Sequence, residues 1–202
     1  MFFRYSFHME TTRRQMLELA MRAAALPGGA EFMAAWLNAQ DHNHAPGSSA
    51  PPETSLLKNW QPKFFSPEDF QALQAFTEIL IPTDGTPGAK EAHCAHYIDF
   101  LMTASDGLPV QKQWRDALAV LKEIGFHAGD AKGRADLVAA MAKPEFDRNA
   151  THPGFSAYRL IKQQNAFAFY TSRAGMIESL DYKGNSYNIV FPACTHPEHQ
   201  KI

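Results

Sequence analysis

Apolar residues return at helical spacing through most of the middle of the chain. Phe70, Leu73, Phe76, Ile79 and Leu80 fall on one face. The stretch is introduced by Ser66-Pro67-Glu68-Asp69. That is a capping serine, a proline at the first helical position and two carboxylates at the positive helix end. Pro82 ends the pattern, because the residue before a proline avoids the α region. Asp84-Gly85 and Pro87-Gly88 are turn chemistry. A second helix follows, with Ala92, Ala95, Ile98, Leu101 and Met102 on one side, and stops at Ser105-Asp106-Gly107. A third runs over Val110–Ile124, with Trp114, Leu118, Leu121 and Ile124 inward and Gly125 as its stop. Asp130–Ala142 is a fourth, carrying Leu137, Val138 and Met141 and closed by Lys143-Pro144. Phe155–Tyr170 is a fifth and unusually aromatic one, with Phe155, Tyr158, Phe167, Phe169 and Tyr170.

Outside these helices the pattern changes. From Met176 the periodicity breaks. Tyr182-Lys183-Gly184-Asn185 reads as a turn and Tyr187–Phe191 as a single short strand. One strand cannot form a sheet, so the tail is expected to lie extended against the domain or a partner. At the other end, residues 41–54 are rich in Pro, Gly and Ser and read as a flexible linker. The expected organisation is an N-terminal helical or signal-like segment over 1–40, a linker over 41–55 and an all-α domain over 56–202. Arg13-Arg14 ahead of an Ala-rich stretch resembles a twin-arginine export signal. Glu18, Arg22 and Glu31 interrupt its apolar segment, and Asp41–Ala45 is the neighbourhood for a cleavage site. Left uncleaved, Glu18–Gln40 would persist as a docking helix.

Composition narrows the function classes. The 202 residues are 45% hydrophobic with 15 Phe, enough for a Phe-rich core. A net charge of −2 and a pI near 6.5 give no electrostatic case for nucleic acid. No apolar run is long enough for a transmembrane helix. Two cysteines, Cys94 and Cys194, exclude a paired-Cys zinc signature and a haem-attachment motif.

Candidate chemistry is sparse. His93, Cys94 and His96 cluster on the second helix, and Cys194, His196 and His199 near the C-terminus. His93, His96, Cys194 and His196 would suit a zinc site by ligand type, but the spacing matches no zinc pattern. The ordinary alternative is surface histidines in a chain with nine of them. Cys194 as a nucleophile lacks any oxyanion loop around it. No Gly-rich phosphate or dinucleotide motif occurs. Asp84 reads as a turn former and Asp99 as an isolated carboxylate. The aromatic residues Phe155, Tyr158, Phe169, Tyr170, Tyr182, Tyr187 and Phe191 are the interface candidates, since aromatics anchor contact surfaces. Phe167 is assigned to the core.

Three blocks carry a family resemblance. They are Phe64-Phe65-Ser66…Phe76…Ile81-Pro82-Thr83-Asp84…Pro87-Gly88-Ala89…Glu91-Ala92…Tyr97-Ile98-Asp99, then Phe169-Tyr170-Thr171-Ser172…Gly175…Glu178…Tyr182-Lys183-Gly184-Asn185, and Cys194…His196-Pro197-Glu198-His199. In this order they resemble the gluconate 2-dehydrogenase subunit 3 family, from about Trp60 to His199. The resemblance implies a small non-catalytic subunit without a cofactor of its own. Its partner would be a large FAD-dependent dehydrogenase of the glucose-methanol-choline type, oxidising sugars or polyols. A cytochrome c subunit carrying haem c often completes such a complex. It further implies periplasmic location, membrane association only through the complex, and export of the catalytic subunit by the small subunit's twin-arginine signal at Arg13 and Arg14. Cys194 would then bridge to the catalytic subunit, or to Cys94 within the chain.

Overall fold

The computed structural model describes residue 18, residues 21–32, residue 57 and residues 59–182. Five α-helices build the domain from Pro67 onward: α1 Pro67–Leu80, α2 Cys94–Ala104, α3 Pro109–Glu123, α4 Ala131–Ala142 and α5 Phe155–Tyr170. A 3-10 turn, Lys143–Glu145, follows α4, and a short π-helix, Ala174–Ser179, follows α5. The described residues contain no strand, so the all-α expectation holds. The expected strand at Tyr187–Phe191 lies outside the described residues.

Local chemistry sets most helix ends within a residue of where the sequence placed them; α2 is the exception, starting at Cys94, because Ala92 lies in the preceding turn and His93, at φ 52, is left-handed and outside the helix. The Ser66 hydroxyl accepts the Asp69 amide at 3.1 Å and donates to the Asp69 carboxylate at 2.7 Å, so the start of α1 is capped twice. Asp130 caps α4 by accepting the Gly133 amide at 2.8 Å. Helix α3 ends in the paired bonds that a left-handed glycine permits: Gly125, at φ 81, donates to Lys122 O, and Phe126 donates to Leu121 O. That turn drops Phe126 into the core beside Phe76, with ring centroids 5.2 Å apart.

Helix α5 packs against all four other helices. Its inward stripe is Tyr158, Ile161, Asn165, Ala168 and Phe169. The main core joins Phe70, Leu73 and Phe76 of α1 to Ile98 and Met102 of α2, Trp114, Leu118 and Leu121 of α3, and Val138 and Met141 of α4. Each such side chain, fully buried, contributes about 1.5–3 kcal/mol. The aromatic residues of α5 divide: Tyr158 and Phe169 are buried in the core, Phe155 is half-buried, and Phe167 and Tyr170 are exposed. Phe167 departs from its expected place: it is 49% exposed, because it lies two residues from Phe169 on the opposite side of the helix.

Helix α2 is buried on nearly every side, including Ala95, Ile98, Phe100, Met102 and Ala104. One side faces α1 and α5. The other is covered by the N-terminal segment, where residues 21–25 and 29–32 are helical. The single helix expected there is broken at Leu26–Gly28, since Pro27 cannot continue the hydrogen-bond ladder of a preceding turn. Phe32 stacks on Phe100 at 4.2 Å and leans on Trp60 at 5.3 Å. Leu57 joins this second cluster, so the described part of the N-terminal segment packs on the domain.

Candidate functional site

The corner between α1 and α2 is held by a carboxylate that its sequence context does not advertise. Glu78, near the end of α1, accepts the Thr83 amide through Oε1 and the Lys90 amide through Oε2, both at 2.9 Å. Burial works to raise the Glu78 carboxyl, but the Lys90 and Thr83 bonds outweigh it and the net shift is downward. Ala89 donates to Ile81 O at 2.8 Å, closing the loop on itself. Gly88 sits where a Cβ would lie 2.5 Å from the Thr83 amide nitrogen, so no side chain fits. Asp84 stays in the turn, its carboxylate 3.5 Å from the Thr86 hydroxyl.

Asp99 is a second anchoring carboxylate and, unlike the half-buried Glu78, has no exposed surface. Its Oδ1 accepts the Phe64 and Phe65 amides, each at 3.0 Å. Its Oδ2 accepts the Lys63 amide at 2.9 Å and Trp60 Nε1–H at 3.1 Å. All four donors come from the segment entering α1, so Asp99 ties that segment to α2. In sequence Asp99 is an isolated carboxylate, and the signal of its role is a charged residue on the buried stripe of a helix.

The histidine and cysteine cluster is also internal. His96 is nearly buried, edge-on to Phe70 at 5.2 Å and Trp60 at 6.1 Å, with His93 at 4.9 Å. Its Nδ1 has no hydrogen-bond partner among the described residues. Burial, with the neighbouring His93 adding to it, holds the His96 imidazole down at about 4. Cys94 is a fully buried free thiol packed with Ala89, Ala92, Ala168 and Phe169. Burial first and the Glu78 carboxylate second push it up to about 12, so it stays protonated and unreactive in the folded chain. Among the described residues no three His, Cys, Asp or Glu side chains are grouped to hold a metal. His93 and His96 are brought together; Cys194, His196 and His199 lie outside the described residues, as do Arg13, Arg14, Tyr187 and Phe191.

The remaining interface candidates separate by burial. Tyr158 and Phe169 are core residues of this chain, which occupies them with internal packing. Phe155 is half-buried beside Tyr158. Tyr170 is exposed, and so, to a lesser degree, is Tyr182. Of the exposed large apolar side chains, Phe167, Tyr170, Leu180 and Tyr182 all fall between the end of α5 and the residues after the π-helix. Phe167 also approaches Tyr97 of α2, at 6.3 Å between ring centroids. The other exposed large apolar side chains, Met21, Leu108 and Phe146, lie elsewhere along the described chain.

Residues 67–187 match the family model for gluconate 2-dehydrogenase subunit 3. The chain belongs to that family. The matched range begins at the first residue of α1 and runs past the π-helix, so it takes in the Glu78 corner, Asp99 itself and the exposed aromatic end of α5, while the donors to Asp99, between Trp60 and Phe65, precede it. Comparison with curated proteins and with solved structures gives no match. Membership places the subunit in association with a dehydrogenase complex, in an accessory role. Among the described residues no helix is long and apolar enough to cross a membrane.

Proposed function

We propose that this chain is the non-catalytic small subunit of a periplasmic, FAD-dependent dehydrogenase complex of the glucose-methanol-choline type that oxidises a sugar or polyol. It binds and stabilises the catalytic subunit and escorts it through twin-arginine export. FAD belongs to that catalytic partner, and haem c to a cytochrome subunit where one is present. The observation that carries the reading is the family match over 67–187. The internal chemistry supports a binding role: Glu78 and Asp99 are committed to backbone amides, and Cys94 is buried as a protonated thiol. The exposed end of α5, with Phe167 and Tyr170, is the docking face.

The test is co-expression of the catalytic subunit with and without this chain. Loss of exported, active dehydrogenase on omitting it is the expected result; normal export and activity refute the escort role. Tyr170→Asp, on the surface and outside the core, should reduce co-purification of the two subunits at least about tenfold, the loss expected on truncating or charging an interface anchor. Unchanged co-purification removes the end of α5 as the docking face.

A further inference from the structure

Residues 21–32 overlap the stretch that would serve as the apolar part of an export signal, yet they are built into the fold. Phe32 is 1% exposed and Ala23 is buried with it, against Phe100 and Ala104 of α2. Polar bonds hold the segment near its start and at its middle: Arg22 donates to Asp106 O at 3.1 Å, and Lys63 Nζ donates to Pro27 O at 2.9 Å. The platform beneath it depends on Asp99, which holds Trp60 and the Lys63 backbone in place. Cleavage within Asp41–Ala45 would remove Phe32 and leave Trp60, Phe100 and Ala104 facing water.

We propose that residues 21–32 are a permanent strap of the folded subunit, retained in the mature chain and not discarded as a leader. The inference rests on packing within the chain; it bears on whether the export signal is cleaved and is independent of which partner the subunit binds.

Hydrogen exchange on the purified full-length chain tests it. The Gly29 and Phe32 amides, which donate to Leu26 O and Gly28 O, should be protected. Phe32→Ala should reduce protection across 21–32 by at least about tenfold while α3 stays protected, since local opening is governed by the packing lost. Met21→Ala, at a largely exposed position, should change nothing. The intact mass of the subunit isolated from its native complex should include residues 21–32. Free exchange of the wild-type segment, no effect of Phe32→Ala, or a mature chain starting after Phe32 each overturns the proposal.

Discussion

Replacing Asp99 by Asn is the sharpest test of how this domain is held together. The carboxamide keeps one oxygen, enough for the Phe64 and Phe65 amides now bound at 3.0 Å. The new NH2 group then faces the Lys63 amide and Trp60 Nε1–H, which need an acceptor and meet a donor. Two hydrogen bonds to a charged acceptor are lost in a site with no solvent access at the carboxylate. Each is worth about 1.5–3 kcal/mol, and Lys63 and Trp60, only partly buried, recover some of it from water. The expected loss is about 2–4 kcal/mol, or a fall in Tm of roughly 5–15 °C for a chain of this size. Thermal unfolding by circular dichroism measures the total. Hydrogen exchange at Lys63, Phe64 and Phe65 locates it: the Lys63 amide should lose protection first. A variant within about 0.5 kcal/mol of wild type, with Lys63 still protected, would show that the carboxylate does not anchor the segment.

Three further outcomes are expected. His96 is held below its ordinary value of about 6.5, so the unfolded chain binds more protons between that pH and about 4. The stability conferred by the buried neutral ring is fully present above 6.5 and is lost as pH falls toward 4, by on the order of 3 kcal/mol; His96→Phe should flatten that slope in denaturant titrations, and an unchanged slope would remove His96 as its source. Cys94 should resist iodoacetamide in the native protein and react only on unfolding, whereas rapid native labelling would contradict its burial. Gly88→Ala should destabilise the corner by about 1–3 kcal/mol in chemical denaturation, because the added Cβ meets backbone and not a movable side chain; a neutral result would mean that the loop yields at little cost.

The five helices, most of their boundaries and the family were legible in the chain itself; the start of α2, at Cys94 after a left-handed His93, was not. Helical periodicity, the Ser66 and Asp130 caps and the Gly125 stop are local properties, and local properties are written in consecutive residues. The neighbour relations were not. Periodicity marked α5 as aromatic but could not tell its core side from its exposed side at Phe167 and Phe169, because α5 is surrounded by four helices whose order around it is a tertiary fact. Asp99 looked isolated because its four donors lie 34–39 positions earlier. Glu78 has no distinguishing sequence context; the chain turns back after α1 and places the Thr83 and Lys90 amides over it. The sequence alone determined which segments become helices and which family they compose. Only the folded chain decided which carboxylates serve as anchors, and that of the two only Asp99 is buried, because burial and hydrogen-bond partnership depend on residues distant along the chain.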